Sequence, residues 1–236
     1  MKVLYEDNHV IIVSKASGEI VQGDKTGDQP LSDMVKEYIK AEHGKPGNVF
    51  LGVVHRLDRP VAGVVVFAKT SKALSRLNNM FRDGEVHKTY WAVVQGKPDV
   101  PEASLEGWLT RNEKQNKSYV RQREVPGAKK ALLHYRLLAA SDRYSLLEVI
   151  LQTGRHHQIR CQLADIGCPI KGDLKYGARR SNPDGSISLL ARRVEFEHPV
   201  SHLTVMAEAP VPEDNLWHDL VASINSNPDA SPGTRL

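Results

Sequence analysis

The stretch VHRLDRPVAGVVVFAK, Val54 to Lys69, sets one carboxylate between two guanidiniums, Arg56 and Arg59, then runs into an apolar, β-branched segment. Three chemistries are open to Asp58. It can pair with Arg56 or Arg59 at the surface, an interaction that stabilises little. It can serve a turn, because Pro60 follows closely. Or it can stand as a reactive carboxylate at the mouth of a cleft. Position favours the third. LGVVHRLD is apolar up to His55, and Gly63 opens a strand that reads as buried, so the acid lies where loop meets core. Functional side chains tend to be mounted there.

A second stretch, YSLLEVILQTGRHHQIRCQLADIG, reads as strand, glycine turn and helix. The helix is expected from about His156 to Ile166, stopped by Gly167 and Pro169. Ile159, Leu163 and Ile166 make its core face, and Arg160 projects beside it, in line with His156. There Arg160 could hold a partly buried carboxylate by a bidentate pair and lower its pKa. An exposed Arg160 without such a pair fits the pattern equally well. His55, His156 and His157 raise the question of a metal. Adjacent histidines on a helix point about a third of a turn apart, and neither HExxH nor a paired-cysteine motif supports them, so no metal is expected. GxGxxG and GxxxxGK[ST] are both missing, which implies neither a dinucleotide nor an NTP. Cys161 and Cys168 lack metal-ligand spacing and read as free, partly buried thiols of a reducing cytosol.

The elements that must position these groups can be read from period and punctuation. Residues 2–5 and 9–13 read as a hairpin around Glu6-Asp7-Asn8. Residues 31–42 read as a helix with Pro30 at its first position and Leu31, Met34, Val35, Tyr38 and Ile39 on one face. Gly63–Ala68 reads as a buried strand, followed by a helix with Ser71 as N-cap and Ala73, Leu74, Leu77, Met80 and Phe81 inward. Thr89–Gln95 is a strand ended by Gly96. Further strands are expected near 103–109, 131–139, 144–152, 187–197 and 202–208, and a short helix near 216–224. Strands dominate without a βαβ rhythm, which argues α+β with a mixed, mainly antiparallel sheet. With no internal linker, one domain over 1–224 is expected. The Ser-, Asn- and Pro-rich stretch 225–236 reads as a disordered tail.

The 236 residues carry a net charge of +4, unremarkable alone. Residues 111–130, however, hold seven Lys or Arg against two Glu, a local excess larger than that of the whole chain. Pro126-Gly127 marks a turn there, and a cationic hairpin or loop suits phosphate contacts. KGDLKYGARR, residues 171–180, gathers Lys171, Lys175, Arg179 and Arg180 around Tyr176, the ingredients of a backbone-and-base surface. The plainer reading of both runs is a solvated face. No stretch reaches membrane-spanning length, and the first fifteen residues are cut by Glu6, Asp7 and Lys15, unlike a signal peptide.

HRLDRPVAGVVVFAK resembles the catalytic motif of the RluA-type pseudouridine synthases. Other segments match that family in order. VLYEDNHVIIVSKASG resembles its opening hairpin, HKTYWAVVQG the segment bearing its active-site tyrosine, and LQTGRHHQIR its Thr-Gly-Arg-x-His-Gln-apolar-Arg motif. IKGDLKYG resembles its Gly-Asp-x-x-Tyr-Gly segment, and FEHP its late Phe-x-His-Pro signature. The match runs from about residue 3 to about residue 208. It implies a single pseudouridine-synthase-like α+β domain with a central catalytic cleft, and isomerisation of uridine in RNA without cofactor or metal. By the resemblance Asp58 is the catalytic carboxylate, Tyr90 packs on the base and helps remove the C5 proton, and Arg160 pairs with Asp58. Arg56 would enter the RNA stack in place of the flipped nucleotide. The remaining expected RNA contacts are Arg155 and His156, then Lys117, Arg121 and Arg123 of the first basic run, then Lys171, Lys175 and Tyr176 of the second. The expected partner is rRNA or tRNA, the expected location the cytoplasm, and the expected state a monomer. Val61-Ala62 replaces the usual Thr-Ser, Ala16-Ser17 stands where Pro is frequent, and Leu190 stands where many relatives have His. The small N-terminal RNA-binding domain of many relatives is not seen. Two other readings compete: a non-catalytic RNA-binding or assembly factor on the same fold, and a glycosidic hydrolase, which would need a paired acid near Asp58 that no motif offers.

Overall fold

A computed structural model describes residues 1–44 and 46–225. Their contacts group into two compact units. The first comprises Met1–Thr89, Asp184–Ser186 and Leu190–Pro210; the second comprises Tyr90–Pro183, Ile187–Leu189 and the residues from Val211 on.

In the first unit, β1 (Lys2–Glu6) and β2 (Val10–Lys15) form the expected hairpin. Its turn is fixed by the Asp7 carboxylate, which accepts the backbone N–H groups of His9 and Val10, each at 2.7 Å. β2 pairs antiparallel with β4 (Ala62–Ala68), and both are apolar along nearly their whole length because each is covered on both faces. β3 (Gly52–Val53), too short to be read from sequence, adds antiparallel to the far end of β4. β10 (Leu189–Glu197) runs parallel to β4 at Ala62 and Gly63 and antiparallel to β11 (Thr204–Glu208). Gly63 is required at that parallel contact. Its φ is +126°, and a Cβ would lie 2.3 Å from the Ala191 carbonyl oxygen.

Helix α1 (Leu31–Glu42) buries Leu31, Val35 and Ile39. Pro30 precedes the helix as its cap instead of occupying its first turn. The cap of α2 (Ser71–Asp83) is Thr70, one residue before the expected Ser71, because Thr70 Oγ1 accepts the Ala73 N–H.

The second unit orders its strands β5-β9-β8-β6-β7, namely β5 (His87–Gln95), β9 (Tyr144–Leu151), β8 (Lys129–Ala140), β6 (Glu102–Asn112) and β7 (Lys117–Arg121). Tyr90 is this unit's first residue, and the pairs β6–β7, β6–β8 and β8–β9 are antiparallel. The basic run 111–130 therefore forms the β6–β7 hairpin and the segment leading into β8. Helix α4 (Asn215–Asn225) packs on β8 and β9 with Trp217 and Leu220 buried. The expected tail lies outside the described residues except Asn225, the last residue of α4.

Helix α3 is shorter than expected, Gln158–Asp165. His157 takes a left-handed φ of 54°, so His156 belongs to the preceding turn and is not in line with Arg160 on the helix. Side chains hold that turn: Gln158 Oε1 accepts from Thr153 Oγ1 (2.8 Å) and from the Arg155 N–H (3.0 Å), while Ser118 Oγ donates to the His156 carbonyl at 2.7 Å.

Candidate active site

The loop carrying Asp58 is tethered on both sides within the first unit. Before the acid, His55 Nε2 accepts the Val66 N–H of β4 at 2.9 Å, extending the β3–β4 pairing by a side chain. The imidazole stacks on Phe81 with centroids 4.7 Å apart. Burial, and then the Lys88 ammonium, push its pKa down to about 3, so it stays a neutral acceptor. After the acid, the ammonium of Lys15, 1 % exposed, donates to the carbonyls of Val61 (2.6 Å), Ala16 (3.0 Å) and Arg59 (3.1 Å). Burial lowers the Lys15 pKa to about 8, against the charges of Glu19 and Asp58, which raise it.

Asp58 itself is half-buried, and its carbonyl closes a turn by accepting the Val61 N–H at 3.0 Å. Neither flanking arginine is its partner. Arg59 pairs with Asp28, and Arg56 is exposed and outside every ion pair among the described residues. The surface-pair reading of Asp58 is thereby removed.

In the second unit, Arg160 on α3 is 5 % exposed and forms a bidentate pair with Asp173, Nε–Oδ2 at 2.7 Å and Nη2–Oδ1 at 2.9 Å. Asp173 is 1 % exposed, so the arginine at the edge of the core is a buried cation with a dedicated counter-ion. Sequence reasoning missed Asp173 although it stands in IKGDLKYG: with no periodicity linking it to α3, only its place in that motif could have flagged it. Five N–H donors let a guanidinium hold one carboxylate by two bonds and still reach another acceptor. Tyr90 is half-buried on β5, beside the buried Thr89.

The expected RNA contacts divide into groups. Lys117, Arg121 and Lys175 gather at the β6–β7 hairpin: Lys117 Nζ stands 5.5 Å from the Tyr119 ring and 5.1 Å from that of Tyr176, Arg121 stands 5.9 Å from Tyr119, and Lys175 Nζ donates to the Asn116 carbonyl at 3.0 Å. Arg155 and Arg123 are exposed, the former donating to the Lys130 carbonyl at 2.9 Å. Two expectations need correction. Tyr176 is only 7 % exposed, and its hydroxyl accepts the Ser118 N–H (2.8 Å) and meets His157 Nδ1 (2.9 Å), so its ring is packing, not a base platform. Burial pushes its phenol up to about 12. His156 has both ring nitrogens engaged, with Ser118 Oγ at 2.9 Å and Asn116 Oδ1 at 3.0 Å, and is stacked on His157. It braces the hairpin instead of reaching outward. Cys161 and Cys168 are free and buried, as expected, with the Cys161 thiol raised to about 11 by burial and then by Asp165.

Comparison with solved structures places the fold first. The human RNA pseudouridylate synthase domain containing 4 protein superposes with a TM-score of 0.77, covering 95 % of this chain and 93 % of its own at 22 % identity. The architecture is thus the mixed-sheet α+β fold of the pseudouridine synthases, as the motifs implied. The family model described as RNA pseudouridylate synthase matches residues 9–165, and the chain belongs to that family of isomerases. Among its relatives, the ribosomal large subunit pseudouridine synthase D of Xanthomonas campestris is 34 % identical over 228 residues, spanning 91 % of this chain and 67 % of that protein. The Uncharacterized RNA pseudouridine synthase YhcT of Bacillus subtilis is 32 % identical over 216 residues, spanning 91 % and 70 %.

Proposed function

We propose that the chain converts uridine to pseudouridine in RNA with Asp58 as the catalytic carboxylate. The observation that carries this reading is the half-buried acid on a loop tethered by His55 before it and Lys15 after it, with neither neighbouring arginine as its counter-ion. A group fixed in direction can meet a nucleotide with little reorganisation. The target nucleotide leaves its stack at a cost of a few kcal/mol, and exposed Arg56, planar and cationic, takes its place. Asp58 attacks the nucleotide covalently or stabilises a sugar cation as the C1′–N1 bond breaks. The uracil turns and C1′–C5 forms. Tyr90 packs on the base and helps carry the C5 proton away, and N1 gains a proton, so the reaction is an isomerisation without redox change. Arg160, braced by Asp173, pairs with Asp58 and holds its direction. Large-subunit rRNA is the first candidate substrate, since one relative is named for it, with tRNA second. The enzyme is expected to act as a cytoplasmic monomer.

Tritium release from RNA labelled at uracil C5 tests the assignment. Asp58→Asn should bind RNA and release no tritium. Normal release by that variant refutes the role of Asp58. If wild-type protein binds RNA but releases none, and no pseudouridine site disappears from rRNA or tRNA of a deletion strain, the non-catalytic binder is the correct reading.

A further inference from the structure

Within the second unit, a cavity of about 780 Å³ opens between the end of β5 at Gln95-Gly96, the β8–β9 turn at Asp142–Tyr144, the end of α3 at Gly167, and segment 177–183. None of Asp58, Tyr90 and Arg160 lines it. Four cations do, Arg143, Lys171, Arg179 and Arg180, against a single carboxylate, Asp142. The three guanidiniums are exposed, and none is in an ion pair with a carboxylate among the described residues. The walls are built from anchored backbone. The Gly96 N–H donates to the Arg143 carbonyl at 2.9 Å, and the Lys171 N–H to the Val93 carbonyl at 2.9 Å. Lys171 Nζ is oriented by Asn182 Oδ1 at 2.8 Å.

Like charges brought together without counter-ions repel, and that cost is removed when an anion enters. Guanidiniums match phosphate oxygens in planar, bidentate fashion. The lining offers one tyrosine, Tyr144, and no pair of rings to sandwich a base, so recognition here is of backbone charge and not of sequence. We propose that this cavity binds consecutive phosphodiesters of the RNA substrate, away from the reacting nucleotide. The proposal rests on the reading of the chain as an enzyme acting on RNA, and extends its contact surface to arginines at positions 143, 179 and 180.

The test compares Arg143→Ala/Arg179→Ala/Arg180→Ala with a charge-matched control, Lys25→Ala/Lys40→Ala/Lys72→Ala, whose lysines are exposed and outside the cavity. Both carry Asp58→Asn so that turnover does not intervene. Fluorescence anisotropy with a labelled single-stranded 20-nucleotide RNA gives affinity from about 50 to 200 mM KCl. Each phosphate contact on a single strand contributes about 0.7 to the salt slope, so the arginine variant should show a slope shallower by about 2 and an affinity at least about tenfold weaker at the low-salt end. The control should change far less. Equal slopes and affinities in the two variants overturn the proposal. So does calorimetric binding of inorganic pyrophosphate that depends on the three arginines while RNA affinity does not, which makes the cavity a small-anion site. If the Asp58→Asn parent binds no RNA at all, this proposal and the RNA reading fall together; if it binds and the arginine variant matches the control, only this one falls.

Discussion

The ammonium of Lys15 is the most informative group to remove. Lys15→Met keeps a stem of similar length in the same buried position and deletes three charge-assisted hydrogen bonds, to the carbonyls of Ala16, Arg59 and Val61. Arg59 retains the Gly18 N–H as a donor at 2.9 Å, so the main loss falls on Ala16 and Val61. Orphaned buried acceptors cost about 1–3 kcal/mol each. Against that loss stands the penalty that wild type bears for burying a charge. The folded pKa of about 8 lies below the ordinary 10.5. Between these values the unfolded chain binds more protons than the folded one, so stability contributed by this group rises as pH climbs from about 8 to about 10.5. At 1.36 kcal/mol per pKa unit, roughly 3 kcal/mol of burial penalty is present at neutral pH and relieved across that window. The two effects oppose each other at pH 7, where the variant should be within about 2 kcal/mol of wild type. At pH 9.5 wild type should have gained about 2 kcal/mol relative to the variant, because other titrating groups cancel in the difference. Urea denaturation at both pH values measures this, with unchanged m-values as the check that the same transition is followed. A stability difference that is equal at pH 7 and 9.5 refutes the reasoning. Loosening Arg59 and Val61 also frees the turn that begins at Asp58, so the rate of tritium release should fall by up to about a hundredfold.

Gly63→Ala should destabilise by about 3 kcal/mol or more, since its Cβ meets backbone at 2.3 Å and its φ of +126° suits glycine alone; the urea midpoint measures it. Asp173→Asn breaks the bidentate partner of a buried arginine and should cost about 3–5 kcal/mol, with a loss of tritium release that Asp173→Glu partly restores. Tyr176→Phe should lose about 1–2 kcal/mol through the orphaned Ser118 N–H, read from the urea midpoint.

The elements that bury a face were legible. β2 and β4 are apolar, largely β-branched runs, and the 3.6-residue period of α1 gives Leu31, Val35 and Ile39 as buried, with Met34 and Tyr38 of the same face only half-buried. The start of α3 was not legible, because the apolar pattern runs back to His156 while the backbone is turned at His157 by Gln158 reaching to Thr153 and Arg155. Propensity does not register a side chain that captures a loop three to five residues upstream. The cap of α2 was displaced by one residue for the same kind of reason, the Thr70 hydroxyl accepting the Ala73 N–H from the flanking position.

The site shows the same division more sharply. Asp58 could be singled out because its surroundings change from apolar to polar within a few residues. The groups that fix its loop could not. Lys15 registers in the sequence only as a charge that interrupts the first fifteen residues, yet its ammonium is buried against carbonyls 44 and 46 residues away. His55 raises only the question of a metal ligand, yet burial holds it neutral and it serves as a hydrogen-bond acceptor for Val66. Asp173 carries no signal of its own within IKGDLKYG, yet it is the counter-ion that makes a buried Arg160 tolerable. In each case a polar side chain satisfies a distant partner, and such partnerships leave no period in the sequence. They also explain why the Val61-Ala62 departure from Thr-Ser does not unmake the loop. At Val61 the loop is held through the backbone, its N–H donating to the Asp58 carbonyl and its own carbonyl accepting from Lys15, so this turn is tethered without a side-chain hydroxyl at that position.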